Sequence, residues 1–88
     1  MGEPGVSLRV KVKLFGHFRD AYGEAEAEFD LHDTARVREA WTQLCLRSKA
    51  LAASKGARLI ALNMDYATED APLADGDVLA FFPPVSGG

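Results

Sequence analysis

The residues with the clearest chemical potential are the last eight, Phe81-Phe82-Pro83-Pro84-Val85-Ser86-Gly87-Gly88. Phe81 and Phe82 are apolar and favour a strand. Pro83 and Pro84 offer no N–H to a sheet ladder and hold φ near about −65°, so the strand must stop and the chain leave in an extended form. Behind this stiff launcher comes a soft tip. Val85 to Gly88 reach at most roughly 14 Å when extended, and Gly87 and Gly88 carry no Cβ, so the tip can thread a channel too narrow for other side chains. That geometry suits an arm delivered into a site on another protein, with the Gly88 carboxylate as the reactive group. A carboxylate at neutral pH is a poor electrophile. Its use as an acyl carrier therefore requires activation, most simply as a mixed anhydride with AMP.

Side chains offer little competition. His17 and His32 lie in or beside turns, with no cysteine or carboxylate at ligand spacing, and read as surface residues. Cys45 shares a helix face with Trp41 and Leu44, which favours a buried, inert thiol over a nucleophile. The pair in Asp75-Gly76-Asp77 is ordinary turn chemistry and falls short of a calcium loop. Glu24, Glu26 and Glu28 read as a solvated strand face, and no glycine-rich phosphate loop follows any strand.

The elements that must position the tail can be read from periodicity. Leu8, Val10, Val12 and Leu14 alternate with Arg9, Lys11, Lys13 and Phe15, which predicts a half-buried strand. A second alternation sets Glu24, Glu26, Glu28 and Asp30 against Ala25, Ala27, Phe29 and Leu31, with Gly16 and Gly23 bracketing a connection that has room for a helical turn. Pairing 13 with 24, 11 with 26 and 9 with 28 in an antiparallel hairpin sets cations opposite anions on one face and joins the apolar sets on the other. A slip by one residue would turn the apolar set to water.

Asp33 or Thr34 can cap a helix in which Val37, Ala40, Trp41, Leu44 and Cys45 recur at helical spacing, so one amphipathic helix lies across the apolar face of the hairpin. It should end or kink around 47–49, with a second helical piece over 50–54 and Gly56 as its stop. A short apolar strand follows at 58–63, then a turn and a brief strand at 66–68. The continuously apolar run 78–82 predicts an interior strand contacted on both faces. If Leu79 and Phe81 face the core, Phe82 points outward on the same side as Phe15. Two exposed phenylalanines beside Pro83 then make a candidate partner interface.

Eighty-eight residues suffice for one small domain, and 48% hydrophobic content argues against disorder. The core must be lean, because 14 of the hydrophobic residues are alanines. Large groups such as Trp41, Phe29, Phe81, Leu44 and Ile60 should carry it. A net charge of −3 gives no footprint for nucleic acid, and no basic run suggests a membrane surface. Partners should be proteins or small molecules. The lone cysteine, the absence of an apolar run long enough to span a bilayer and the lack of a signal-peptide pattern point to the cytoplasm. The expected organisation is a disordered leader at 1–5, one domain at 6–83 and a flexible tail at 84–88.

The ending FFPPVSGG, the upstream LADGD at 73–77 and the opening VKLFGHFRD at 12–20 resemble the MoaD family of ubiquitin-like sulfur carriers, the small subunits of molybdopterin synthases. The resemblance spans nearly the whole chain, although 46–58 follows no family motif. It implies an α+β fold, the ubiquitin-like β-grasp, in which a mixed sheet of about five strands is covered on one face by one main helix. The order strand, strand, helix, strand, short strand, strand agrees with this and puts 78–82 at the sheet centre.

The resemblance also implies a chemistry. A ubiquitin-activating-type enzyme, using ATP and Mg²⁺, adenylates Gly88, and a sulfurtransferase supplies sulfur to form a thiocarboxylate. The tail, through Pro84, Val85, Ser86 and Gly87, then inserts into the large subunit, where sulfur passes to cyclic pyranopterin monophosphate to build the molybdopterin dithiolene. The chain would be the non-catalytic sulfur donor of that transferase, binding no permanent cofactor or metal and assembling with the large subunit as a heterotetramer. Two other roles share a Gly-Gly end: a sulfur carrier for thiamine thiazole or another thiolation pathway, and a ubiquitin-like protein modifier.

Overall fold

The computed structural model describes residues 7–54 and 57–84. The elements run β1 (Ser7–Leu14), α1 (Gly16–Tyr22), β2 (Glu26–His32), α2 (Val37–Arg47), α3 (Lys49–Ala52), β3 (Leu59–Leu62), β4 (Asp65–Tyr66) and β5 (Val78–Phe82). The strands form one sheet in the order β2-β1-β5-β3-β4. β5 therefore sits at the centre, as the sequence leads one to expect, and it runs parallel to β1 and antiparallel to β3.

β1 follows its alternation. Leu8, Val10, Val12 and Leu14 are buried, and Phe29 and Leu31 join them from β2. α2 lies over this face and buries Val37, Ala40 and Leu44, while Phe18 of α1 and Leu51 of α3 close the core at the flank. Each fully buried Leu, Val or Phe contributes about 1.5–3 kcal/mol relative to exposure. Among the described residues the buried core holds 16 apolar side chains, of which only Ala35 and Ala40 are alanines, so large groups hold this small domain and the other alanines lie outside its core.

The hairpin register differs from the expected one by two residues. Lys13 pairs with Glu26, Lys11 with Glu28 and Arg9 with Asp30. The cause is the connection: α1 and the turn at Gly23 take up the chain through Ala25, so β2 begins at Glu26 and not at Glu24. A shift of two keeps every side chain on its face, so the apolar sets still meet. Long side chains then reach diagonally. Arg9 pairs with Glu28 at 2.9 Å and Lys11 with Glu26 at 4.0 Å, so the expected charge partners meet without being opposite each other.

Asp33 and Thr34 do not cap α2. The helix starts three residues later, where the Glu39 carboxylate accepts the backbone N–H of Arg36 at 2.6 Å. Ala35, 1% exposed, and the bridge from Arg36 to Pro72 hold this segment extended and delay the helix. The kink falls where expected, with Ser48 as the hinge. Its hydroxyl accepts the Leu51 N–H at 3.1 Å and starts α3 at Lys49. The expected stop at Gly56 lies outside the described residues.

The β3–β4 turn is Asn63-Met64, with φ of 51° and 75°. Two positive φ values in a two-residue loop are the type I′ pattern, which matches the twist of the flanking strands. β4 consequently starts at Asp65, one residue before its expected start. Asn63 also ties the hairpin to β5: its Oδ1 accepts the Val78 N–H at 2.9 Å, and its Nδ2 donates to Asp77 Oδ1 at 2.9 Å. Asp75-Gly76-Asp77 is a turn, with Gly76 at φ 87° and Asp77 Oδ2 accepting the Ala74 N–H at 2.7 Å.

β5 is not covered on both faces. Leu79 and Phe81 are fully buried, whereas Val78 is 36% exposed and Ala80 and Phe82 are only half-buried. Among the described residues the helices share one core with Leu79 and Phe81, so the other apolar side of this central strand is left open.

Candidate functional site

The site begins where β5 ends. Phe81 and Phe82 are neighbours in sequence and point to opposite sides of the sheet. Phe81 packs edge-on against Trp41 at 4.9 Å, and Trp41 in turn meets Phe18 at 5.1 Å. The Arg58 guanidinium covers the outer side of the indole at 4.2 Å, which leaves Trp41 half-buried. Phe82 turns to the open side and stacks on Phe15, with centroids 4.6 Å apart.

After Phe82 the ladder stops, as Pro83 requires. The Phe15 N–H still reaches Phe81 O at 3.3 Å. Pro83 then lies against the start of α1, so close to Gly16 that a Cβ there would stand 2.7 Å from Pro83 Cγ. Gly16 has φ 59°, a conformation that glycine adopts without a steric penalty. Pro84 is exposed. The launch direction is thus set by three contacts: the Phe15–Phe82 stack, the Phe15–Phe81 hydrogen bond and the Pro83–Gly16 approach. Val85, Ser86, Gly87 and Gly88 lie outside the described residues.

The open side of the sheet has two unlike halves. Over β5, β3 and β4 runs an apolar groove of about 760 Å³, lined by Phe15, Phe82, Val78, Ala80, Ala61, Met64 and Tyr66 together with Asn63 and Lys13. Met64 and Tyr66 are 95% and 86% exposed. Over β1 and β2 lies a charged half, where Arg9 contacts Glu28 at 2.9 Å and Asp30 at 3.3 Å. Asp30, with Glu28 behind it, raises the guanidinium pKa further above its ordinary value. Both pairs are solvent-exposed and screened by water, so they organise the face more than they stabilise it.

Phe15, Phe82 and Pro83 therefore meet at one place, as the alternation predicts. Lys13, Met64, Tyr66 and Gly16 are not among the residues that the sequence reading assigns to this site. The signal for Lys13 was present, because it shares the odd-numbered face of β1 with Phe15. Met64 and Tyr66 depended on the turn at Asn63, which alternation does not reveal.

The other candidates remain apart from this site. His17 and His32 are exposed, and His32 Nδ1 lies 3.0 Å from Thr34 Oγ1. Cys45 is half-buried on the helix side, and burial pushes its thiol pKa up, against a weaker opposite pull from Arg58. A thiol so placed is a poor nucleophile at neutral pH. Among the described residues no cluster of three or more His, Cys, Asp or Glu could hold a metal ion. No helix among them is long and apolar enough to cross a membrane.

Comparison with known proteins adds to this geometry. The ThiS family profile matches residues 12–88. The molybdopterin synthase sulfur carrier subunit of Haemophilus influenzae is 46% identical, over 90% of this chain and 99% of the relative. The Escherichia coli protein of the same name is 36% identical, again over 90% and 99%. Among solved structures, a Pyrococcus furiosus chain assigned as molybdopterin converting factor subunit 1 superimposes with a TM-score of 0.78 at 38% identity, covering 90% of this chain and 100% of that one. SAMP1 of Haloferax volcanii gives 0.81 at 28% identity over 91% and 99%. A complex of subunits 1 and 2 of the molybdopterin-converting factor of Helicobacter pylori gives 0.63 at 28% identity over 92% and 100%.

Proposed function

This chain belongs to the ThiS/MoaD family of ubiquitin-like proteins, and we propose that within it the chain is the sulfur carrier subunit of a molybdopterin synthase. The observation that carries this reading is the placement of the Pro83–Pro84 exit beside an apolar groove on the open side of the sheet. It is supported by relatives of that name matched over nearly their full length. A neighbouring structure is a complex of subunits 1 and 2, and the groove has the composition expected of a surface that receives such a partner.

In this reading the Gly88 carboxylate attacks the α-phosphate of ATP on an activating enzyme that supplies Mg²⁺, and pyrophosphate leaves. A sulfide-level donor, delivered by a sulfurtransferase, then displaces AMP. The resulting thiocarboxylate is ionised near neutral pH and strongly nucleophilic, by the logic that governs thiolates. The open face docks on the large subunit, and Pro84 to Gly87 feed the thiocarboxylate to cyclic pyranopterin monophosphate. This chain supplies reach and the sulfur-bearing carbon. The catalytic side chains belong to the partner, with which it forms a heterotetramer in the cytoplasm.

The test is conversion of the pyranopterin by chain carrying a Gly88 thiocarboxylate, verified by intact mass, together with the large subunit. Turnover with loss of one sulfur atom from each carrier supports the reading, and an inert thiocarboxylated chain that binds the large subunit overturns it. A second reading, a protein modifier joined to lysines through Gly88, is favoured by the likeness to SAMP1, a small archaeal modifier protein. Intact-mass analysis of cell extracts separates the two: thiocarboxylate belongs to the first, lysine conjugates to the second.

A further inference from the structure

Lys13 stands on the boundary between the two halves of the open face. Toward β2 every neighbouring charge is matched. Arg9 is held by Glu28 and Asp30, and Lys11 approaches Glu26 at 4.0 Å. Glu26 is the residue directly opposite Lys13 in the hairpin register, yet its carboxylate leans diagonally to Lys11. Among the described residues Lys13 has no carboxylate within the 4.0 Å of an ion pair. Toward β5 its direct partner is Ala80, and it shares the apolar groove with Phe15 and Phe82.

Among the described residues Lys13 is the only charged side chain lining that groove. The chain as a whole is acidic, with a net charge of −3. A single cation at the margin of an apolar surface acts differently from one in a charged network. When an apolar partner covers the groove, the ammonium loses water. An unpaired charge then opposes docking, whereas a facing carboxylate turns the same charge into an attractive and discriminating contact. Its four-carbon stem can lie along Phe15 and Ala80 and hold the ammonium at the groove margin.

Resting on the reading of this chain as a synthase small subunit, we propose that Lys13 is a specificity contact that takes one carboxylate of the large subunit within an otherwise apolar interface. Phe15 and Phe82 supply area, and Lys13 selects among partners that present an apolar face, because a face without the anion must strand the ammonium.

The experiment titrates full-length wild-type chain, Lys13→Met, Lys13→Arg and Lys13→Glu against the large subunit from the same organism, at low and high salt. Methionine keeps the apolar stem and removes the charge, arginine keeps the charge, and melting temperatures report the fold of each variant. The proposal expects Lys13→Arg to bind like wild type and Lys13→Met to bind about tenfold more weakly at low salt, with the gap narrowing as salt rises. Lys13→Glu should be weaker still. If Lys13→Met binds as tightly as wild type, or loses affinity with salt just as steeply, the ammonium stays in water and the proposal is overturned. Wild-type chain that fails to bind the large subunit sinks the synthase reading and this contact together. Wild-type binding with an indifferent Lys13→Met sinks the contact alone.

Discussion

Phe15 and Phe82 lie with their rings 4.6 Å apart and inclined by only 11°, although 67 positions separate them in the chain. The parallel pairing of β1 with β5 brings both to the same edge of the open face, beside the proline exit. A stacked pair left half in water is apolar area available to a partner, since a core would have enclosed it.

Phe82→Ser should therefore weaken binding to the large subunit by about 1.5–3 kcal/mol, roughly ten- to hundredfold in Kd. The melting curve should move little, because the ring is outside the core. Titration of the variant against the large subunit, beside a thermal melt, checks both halves. Unfolding of the variant with unchanged affinity of the folded fraction would place Phe82 in the core instead.

The adjacent residue behaves oppositely. Phe81 is 0% exposed and packed on Trp41, so Phe81→Ala leaves a cavity under α2. The expected loss is about 3–5 kcal/mol of folding stability, which urea denaturation measures through its midpoint. A loss under about 0.5 kcal/mol, the range of surface substitutions, contradicts the packing described.

Much of this face was legible in the sequence because strand alternation is rigid: once Val10, Val12 and Leu14 were inward, Lys13 and Phe15 had to be outward. The ladder offset was not legible. A shift of two residues preserves both the apolar face and the charge pattern, so the sequence of β1 and β2 is equally content with either register, and the length of α1 decides. The openness of β5 was hidden for a related reason. An apolar run such as Val78–Phe82 looks the same whether helices cover its second face or a partner protein does. The start of α2 was missed because Asp33 and Thr34 are good capping residues that the tertiary bridge from Arg36 to Pro72 overrides.

Met64 carries φ 75° in a type I′ turn, a conformation costly for a residue with a side chain and natural for glycine. Met64→Gly makes the Asn-Gly turn and should stabilise the isolated chain by about 0.5–1 kcal/mol, after the greater freedom of glycine in the unfolded chain is set against the relieved strain. Urea midpoints decide the sign, and a destabilised variant contradicts the turn geometry.

Burial raises the Cys45 thiol above its ordinary value of 9.0. Two consequences follow from the sign. Less thiolate is present in the folded protein near neutral pH, so alkylation by iodoacetamide should be slower than in the urea-unfolded chain. The folded state also favours the protonated thiol, so as pH rises past 9.0 the unfolded chain ionises first and stability falls. Cys45→Ala should remove that part of the alkaline loss. Equal alkylation rates in folded and unfolded chain would contradict the burial.

The last prediction concerns the tip. If Gly88 carries the acyl group, its carboxylate must be free, and one residue added after it turns that carboxylate into an amide and moves the terminal carbon by about 3.5 Å. The extension should abolish adenylation and sulfur transfer while the melting temperature stays within error, since the core lies among Phe81, Trp41 and the helix side of the sheet. Deleting Gly88 leaves a carboxylate that is chemically competent but one residue short, where a misplacement of even about 1 Å can cost roughly a hundredfold. Gly87→Val separates chemistry from access. Its carboxylate is intact, so adenylation can proceed, but a branched side chain should block entry to a channel built for glycine, and pyranopterin conversion should fall while thiocarboxylate persists by mass. Full activity of a chain whose extension beyond Gly88 is shown by mass to be still attached would refute the carrier role.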